Sequence, residues 1–268
     1  MQAAPLGEPS AADYLAFAHR LADAAGEIIR RYWRQPIAVE HKADDSPVTI
    51  ADREVEETLR ALIRATWPDH GIAGEEFAAE RADALLVWCL DPIDGTKSFI
   101  TGRPLFGTLI ALSRAGRPIL GVIDQCVLGE RWIGLEGEAT TWNGVAVRTR
   151  ACPGLAQAVL YVTSPQMFRT PAERAAFARV EGAVGLPMYG GDCYAYGLLA
   201  LGFADLIVEA GLDQHDFMAL LPVIEGAGGI ITDWQGRPLR PGADGRVVAA
   251  GDRRVHEAAL ELLNRNDH

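Results

Sequence analysis

The sequence predicts an α+β fold in which helices are layered on sheets. Amphipathic helical patterns begin and end the 268-residue chain, and short apolar runs bounded by turn residues alternate with further helical patterns between them. We find no internal repeat, low-complexity segment or linker-like stretch. The prediction is therefore one domain over residues 11–268, preceded by a loose N-terminal tail over residues 1–10.

Two helices are predicted near the start of the chain. The first presents one apolar face at steps of three and four, made by Leu15, Ala18, Ala22, Ala25 and Ile29. Ser10 and Asp13 form a plausible capping pair for it. The second is expected from about Ile50 to Trp67, with Thr49 as its cap and Pro68 as its stop.

Strands are predicted next. The apolar run Leu85–Leu90 is typical of a buried strand, and it leads directly into Asp91 on the loop that follows. Runs at 105–112 and 119–127 flank a glycine turn and indicate an antiparallel pair. Asn143-Gly144 favours a type I′ hairpin turn.

The second half of the chain alternates between the two patterns. Strands are predicted at 159–162, 206–208, 230–232 and 247–249. Helices are predicted from Thr170-Pro171 onward, over 194–203, over 217–227, and after a cap at Asp252 through Leu263. This mixture supports the α+β class.

The charge balance excludes some classes of partner. The chain has 25 Lys+Arg against 36 Asp+Glu, a formal charge of −11, and its arginines are scattered, which argues against nucleic acid. Phosphate-bearing substrates stay possible, because carboxylates hold metal ions that bind phosphate.

No apolar run approaches the roughly 20 residues of a membrane span, and residues 1–10 lack a secretory-signal pattern. No two of the four cysteines form a CxxC motif. We therefore expect the protein to be in the reducing environment of the cytoplasm.

The sharpest motif is Asp-Pro-Ile-Asp-Gly-Thr at 91–96. The proline fixes the backbone between two acids, so Asp91, Asp94 and the Ile93 carbonyl can converge on one point. Hard divalent cations such as Mg²⁺ prefer this mixture of oxygens. Gly95 permits a close backbone approach, and a helix beginning near Thr96 would add an anion site. The alternative is an acidic surface turn before a helix, where Asp and Gly are common.

Three further acids are ambiguous when each is taken alone. Glu75, in Gly74-Glu75-Glu76 on another predicted loop, fits a solvated face equally well. Asp52 stands three positions after Thr49 and can be only the acid of a capping box. Asp216 begins a predicted helix, where the same explanation applies.

In combination, these segments make the chain resemble the inositol monophosphatase family of metal-dependent phosphomonoesterases. The elements occur in the family's order over nearly the whole chain: Lys42, Thr49-Ile50-Ala51-Asp52, Gly74-Glu75-Glu76, the segment 91–96, Asp216, and Glu225-Gly226-Ala227-Gly228-Gly229. A chance match of all of them in order is remote. The resemblance implies a layered α-β-α-β-α sandwich of the inositol monophosphatase/fructose-1,6-bisphosphatase type, a site between halves of roughly 11–150 and 151–268, and a homodimer.

The same resemblance implies roles for individual residues. Two or three Mg²⁺ ions would be held by Glu75, Asp91, Asp94, Asp216 and the Ile93 carbonyl. Phosphate would be bound by the amides of Gly95 and Thr96. The attacking water would be positioned and deprotonated by Asp52, Glu75 and Thr96. The chemistry agrees, because paired cations offset charge on the phosphoryl group and lower the pKa of bound water.

One departure from the family pattern stands beside Asp216. The family usually has Trp-Asp there, whereas this chain has His215-Asp216. The change alters the pocket wall rather than the metal set. His215 is either a substrate contact or a partly exposed histidine before a helix, and the sequence favours neither.

Two segments, 91–106 and 190–229, resemble the histidinol-phosphate phosphatases within this family. Asp192 stands where inositol phosphatases have a small residue facing the sugar, and Glu209 matches a position that contacts the leaving group. With Asp94 and Asp216 they are the expected substrate contacts, and the Asp192–Glu209 pair would suit the ammonium and imidazole of histidinol. The alternative for Asp192 is a helix N-cap after two glycines.

The expected activity is Mg²⁺-dependent hydrolysis of L-histidinol phosphate to L-histidinol and phosphate, in histidine biosynthesis. The first alternative is the same chemistry on inositol 1-phosphate or another small phosphate ester. The second is a non-catalytic binding or regulatory protein with this fold. That alternative predicts lost metal ligands, whereas every expected acid is present.

Overall fold

The structure, a computed structural model, describes residues 9–41 and 47–265. Its helices are α1 (Ala11–Tyr32), α2 (Ile50–Thr66), α3 (Thr96–Ile100), α4 (Pro171–Glu181), α5 (Asp192–Ala200), α6 (Gln214–Phe217), α7 (Leu220–Gly226) and α8 (Arg253–Leu263). Its strands are β1 (Val39–His41), β2 (Pro47–Thr49), β3 (Gly71–Gly74), β4 (Leu86–Asp94), β5 (Gly107–Arg114), β6 (Arg117–Gln125), β7 (Glu130–Leu135), β8 (Thr141–Trp142), β9 (Val145–Ala146), β10 (Val159–Val162), β11 (Leu186–Tyr189), β12 (Leu206–Glu209), β13 (Ile230–Thr232) and β14 (Val247–Ala250).

The elements stack in five layers. Helices α1 and α2 cover one face of a seven-stranded sheet with the order β3-β4-β5-β6-β7-β8-β9. Helices α5 and α7 lie between this sheet and a five-stranded sheet with the order β11-β10-β12-β14-β13. Helices α4 and α8 cover the outer face of the second sheet. This arrangement is the α-β-α-β-α sandwich that the sequence predicts.

The pattern predicted for the first helix is confirmed. Ala18, Ala22, Ala25 and Ile29 are fully buried on one face of α1. Ser10 caps that helix, since its backbone N–H donates to the Asp13 carboxylate at 2.8 Å and its hydroxyl accepts from the Asp13 N–H at 3.3 Å. Residues 1–8 of the predicted tail, and Lys42 of the family pattern, lie outside the described residues.

Besides the short pair β1 and β2, three strands form where the sequence predicts none, namely β3, β7 and β11. They have four, six and four residues and carry glycine, proline or charged side chains. Pairing with neighbouring strands stabilises them, because strand formation depends more on context than on the strand's own pattern. β3 pairs parallel to β4, and β10 pairs parallel to both β11 and β12. The sheets are therefore mixed rather than wholly antiparallel.

The helix predicted over 217–227 is divided into α6 and α7. The separate turn of α6 is fixed by a capping box between Asp213 and Asp216. After the break, the Ala219 backbone packs so closely on β6 that a Cβ built on Gly121 would overlap the Ala219 carbonyl oxygen. Gly121 therefore sets how closely the layer that carries Asp216 approaches the first sheet.

None of the helices in the described ranges is long and apolar enough to cross a membrane.

We predict that Gly121→Ala lowers the free energy of unfolding by roughly 2–4 kcal/mol, because backbone must move to admit the methyl group. Chemical denaturation measures this loss. Gly154→Ala is the control, since a Cβ there meets only the side chain of Gln157, at 3.7 Å. Equal stability of the two variants would contradict the prediction.

Candidate active site

The central feature of the site is a bulge in β4. The strand does not end at Leu90, as the sequence predicts, but continues to Asp94. Its pairing with β5 shifts register between Asp91 and Asp94, so that three steps along β4 oppose two along β5. Pro92 is accommodated because a bulge needs no ladder donor there, and its carbonyl accepts a hydrogen bond from the Thr108 hydroxyl at 2.9 Å.

The turn after the bulge requires glycine at position 95. Gly95 has a φ of +81°, and a Cβ built on it would lie 2.8 Å from the Asp192 side chain. Helix α3 begins at Thr96, whose hydroxyl donates to the Ile93 carbonyl at 3.2 Å. The turn thus places the backbone of residues 95 and 96 directly beside the acids of the bulge.

A buried ion pair holds the loop that carries Glu75. Glu56 of α2 is fully buried, pairs with Arg60 at 2.8 Å and accepts from the Glu76 amide at 2.7 Å. A Cβ at Gly74 would overlap the Glu56 carboxylate, so that position also needs glycine. Neither Glu56 nor Arg60 is among the site residues predicted from the sequence. The signal that could have found them is an acid and an arginine four residues apart on the buried face of a helix.

Only one of the two carboxylate oxygens of Asp52 accepts hydrogen bonds from the described residues. Its Oδ2 accepts from the Thr49 N–H at 2.8 Å and from the Thr49 hydroxyl at 2.6 Å, which confirms the capping box. Its Oδ1 is buried and has no hydrogen-bond partner among the described residues. Burial raises the pKa of Asp52, and the charge of Glu75 adds to the rise against the hydrogen bonds from Thr49. A buried oxygen in this state is suited to a water, a proton or a cation.

Several acids from separate elements converge beside the bulge. Oxygen atoms of Asp91, Asp94 and Asp216 lie within 4.8 Å of one another, and so do ligand atoms of Glu75, Asp91 and His215. Burial raises the pKa of Asp91 well above its usual range, and the charges of the neighbouring acids raise it further. Because these carboxylates repel one another once ionised, the donor set fits divalent cations.

Asp216 comes from the second half of the chain. Its Oδ2 accepts from the Asp213 amide at 2.7 Å. Asp213 therefore acts as a helix cap and not only as a solvated acid. The His215 Nε2 atom lies 3.6 Å from the other oxygen of Asp216. Helix α6 thus presents a carboxylate and an imidazole to the acids of the first half.

Asp94 joins the two halves directly. Its Oδ2 accepts from the Cys193 amide at 2.6 Å, in the first turn of α5. The N-cap of α5 is Gly191, so the alternative in which Asp192 caps this helix is wrong. Asp192 instead has a φ of +46°, and its carboxylate accepts from the Ser98 hydroxyl at 2.6 Å. Ser98, which the sequence analysis missed, orients that carboxylate.

The four expected substrate contacts share one cavity of about 90 Å³. Its walls are formed by Asp94, Thr163, Met167, Asp192, Cys193, Tyr196, Glu209, Leu212, Asp216 and Leu220. Four of these ten residues are acids, and none is Lys or Arg. The cavity therefore adjoins the carboxylate cluster and adds two further acids to it, Asp192 and Glu209.

Glu209 is buried at the wall of this cavity. Its two oxygens accept from the Thr163 N–H at 3.1 Å and from the Tyr196 hydroxyl at 2.8 Å. Burial raises the pKa of Glu209 to about 7, even though these hydrogen bonds favour the ionised form. Glu209 can thus change charge near pH 7. Tyr196 is buried, as its apolar helix predicts, but it also serves as a donor to this acid.

Comparisons with known proteins identify the family and related folds. A model of the inositol monophosphatase family matches residues 11–268. The Arabidopsis thaliana protein named bifunctional phosphatase IMPL2, chloroplastic, is 53% identical over 259 residues, which cover 93% of this chain and 75% of that protein. A histidinol-phosphatase from Chlorobaculum parvum is 36% identical over 236 residues, which cover 88% of this chain and 91% of that protein. A solved structure of an inositol monophosphatase from Zymomonas mobilis has a TM-score of 0.88 at 48% identity and covers 96% of this chain and 100% of that one.

We predict that Mg²⁺ stabilises the protein more strongly at pH 8 than at pH 5. The raised pKa of Asp91 means that its ionisation opposes folding, so metal-free stability falls as pH rises from about 4 through that pKa. Mg²⁺ at 100 times its Kd would restore about 2.7 kcal/mol. Thermal unfolding with and without Mg²⁺ measures the difference.

The metal-free Asp91→Asn variant would be more stable than metal-free wild type at pH 8. The increase in stability that Mg²⁺ gives to wild type, called the Mg²⁺ increment here, would be absent from the variant. The amide oxygen can still accept from the Ile93 N–H, as Asp91 Oδ1 does at 3.0 Å. Asp83→Asn, at an exposed position, is the control that keeps the increment. An undiminished increment in Asp91→Asn would place the cation elsewhere.

We also predict that Glu209→Gln flattens the dependence of metal-free stability on pH. The Glu209 pKa of about 7 lies above the unfolded value of about 4.3, so its ionisation opposes folding progressively between those values. Wild type would lose stability relative to Glu209→Gln by up to about 1 kcal/mol per pH unit between roughly pH 5 and 7. Urea unfolding across this range, with exposed Glu57→Gln as the control, checks it. Parallel curves for wild type and Glu209→Gln would refute the assignment.

Proposed function

The chain belongs to the inositol monophosphatase family, and within that family of phosphatases we propose that it hydrolyses L-histidinol phosphate to L-histidinol and phosphate. The observation that carries this choice of substrate is the composition of the cavity beside the carboxylate cluster. Its lining includes four carboxyl side chains, those of Asp94, Asp192, Glu209 and Asp216. A leaving group that enters the cavity meets four carboxyl groups and no Lys or Arg side chain among the lining residues. Histidinol carries an ammonium and an imidazole, which suit such a wall, whereas a neutral polyol gains little from it.

The proposed metal set is the one that the family pattern implies. Glu75, Asp91, Asp94 and Asp216 would hold two or three Mg²⁺ ions together with the Ile93 carbonyl. The convergence of their oxygens and the raised pKa values of Asp91, Asp94 and Asp216 support this assignment. Bound there, the cations would offset charge on the phosphoryl group and lower the pKa of water.

The remaining roles fall to groups around the bulge. The amides of Gly95 and Thr96, at the start of α3, would bind the phosphate oxygens. Asp52, Glu75 and Thr96 would orient the attacking water and accept its proton. The unpartnered Oδ1 of Asp52 supports this role, because a buried oxygen with a raised pKa is a suitable proton acceptor.

Asp192 and Glu209 are the proposed specificity residues. Asp192 is fixed by Ser98. Lys97 and Arg103 partly offset the effect of burial on its pKa, so they favour its charged form. Glu209 would complete its ionisation when a cation enters the cavity, because an adjacent positive charge lowers a carboxyl pKa.

Inositol 1-phosphate is the second candidate substrate. The Zymomonas mobilis structure, at 48% identity, is described as an inositol monophosphatase, and the 53% identical Arabidopsis protein is named a bifunctional phosphatase.

A homodimer and a cytoplasmic location stay predictions from the sequence. Light scattering of the purified protein would test the dimer.

The deciding assay is phosphate release from purified protein with Mg²⁺, with L-histidinol phosphate and inositol 1-phosphate compared at equal concentration. A strong preference for histidinol phosphate supports the proposal. Preference for inositol phosphate would retain the metal chemistry and refute the argument from the acidic cavity. Activity on neither ester would refute both substrates.

We predict that Asp192→Asn raises the KM for histidinol phosphate by roughly 10-fold or more, the effect of losing a hydrogen bond to a charged group. The change removes the charge while an amide oxygen can still accept from Ser98. Inositol 1-phosphate hydrolysis would change by less than about threefold, because a neutral leaving group forms no ion pair there. Steady-state kinetics on both substrates measures the difference, and Asp83→Asn, which removes an exposed carboxylate outside the cavity, is the control. Equal losses on both substrates would show that Asp192 acts on the whole site and not on the leaving group.

A further inference from the structure

His215 occupies an unusual place among the acids of the site. The family usually carries tryptophan at this position, and tryptophan has no ligand atom for a cation. Here a ring nitrogen of His215 lies within 4.8 Å of carboxylate oxygens of both Glu75 and Asp91. Its side chain is only 17% exposed. An imidazole held this close to two acids has the composition of a mixed nitrogen and oxygen metal site.

The position of the imidazole is fixed by the helix that carries it. Helix α6 has four residues, and the capping box between Asp213 and Asp216 closes around His215. On the other side, the ion pair of Glu56 and Arg60 supports the loop that carries Glu75. Both ligand-bearing segments are therefore constrained, which is what a preorganised metal site requires.

A second observation at this point also indicates a ligand. Asp52 is 1% exposed, and its Oδ1 has no hydrogen-bond partner among the described residues. It lies near enough to Glu75 for the two charges to repel. A buried oxygen without a hydrogen-bond partner, in a side chain that interacts with Glu75, is accounted for when a hydrated cation is bound at Glu75.

We propose that His215 is a metal ligand, which with Glu75 and Asp91 forms a subsite distinct in chemistry from the all-oxygen group of Asp91, Asp94 and Asp216. Asp91 belongs to both groups and would bridge them. The proposal rests on the metal set given under the proposed function and adds a nitrogen ligand to it. Imidazole favours Co²⁺, Ni²⁺ and Zn²⁺ over Mg²⁺. This subsite would therefore bind such a metal more tightly than a relative with tryptophan does.

The test uses Co²⁺ as the probe on the full-length protein. A histidine bound to Co²⁺ gives a hyperfine-shifted, solvent-exchangeable N–H proton resonance, which would be present in wild type and absent in His215→Gln. Calorimetric titration of His215→Gln would show Co²⁺ affinity reduced roughly tenfold or more, with Mg²⁺ affinity changed by less than about threefold. His19→Gln, a histidine on α1 far from the site in sequence, is the control and would match wild type.

Each outcome separates this proposal from the proposed function. Co²⁺ binding that depends on Asp91 but gives no shifted histidine resonance refutes the role of His215 and leaves the metal-dependent phosphatase intact. Failure of both Co²⁺ and Mg²⁺ to bind refutes both. If His215→Gln does not fold, wild type containing ring-deuterated histidine replaces it. If histidine binds Co²⁺, the shifted non-exchangeable resonances of unlabelled wild type disappear in the deuterated protein. If these resonances persist after deuteration, or if unlabelled wild type shows none, histidine ligation is refuted.

Discussion

Repulsion among buried carboxylates governs both the stability and the proposed chemistry of this protein. Acids that are far apart in the sequence meet beside the bulge in β4, where burial raises the pKa values of Asp91, Asp94 and Asp216 and the charges of neighbouring acids raise them further. Without a compensating charge, their ionisation near pH 7 opposes folding. Divalent cations remove this penalty, so the same arrangement that destabilises the metal-free chain gives the holo protein its proposed chemistry.

The acids are held by a common device, in which one carboxylate oxygen binds a backbone amide. This holds for Asp52 with the amide of Thr49, Asp91 with that of Ile93, Asp94 with that of Cys193, and Asp216 with that of Asp213. The bound oxygen orients the side chain, and the other oxygen stays available to the site. Capping and ligation are thus complementary roles of the same residue. Asp94 shows this most clearly, because its amide partner belongs to the other half of the chain.

Much of this could be predicted from the sequence, and the exceptions have physical causes. Helix periodicity and caps are local, so α1, α2 and α8 were predicted near their observed bounds. The bulge at Pro92 and the short strands depend on pairing with distant segments, which no local pattern contains. Asp91 and Asp94 are predicted because the motif at 91–96 is local, whereas Asp52, Glu75 and Asp216 are assigned only through the resemblance to the family. Their supports, such as Ser98 and Glu56, were missed because their function depends on what lies opposite them in space. The roles assigned to the acids stay predictions until a cation is located.

The most direct test of this account is anomalous diffraction from crystals soaked in Mn²⁺, which locates the cations without reference to activity. The account predicts at least one peak among Asp91, Asp94 and Asp216, and one beside Glu75. Peaks only at surface acids such as Asp83, or none in crystals that still hydrolyse phosphate esters, would contradict the claim that the buried carboxylates exist to hold metal.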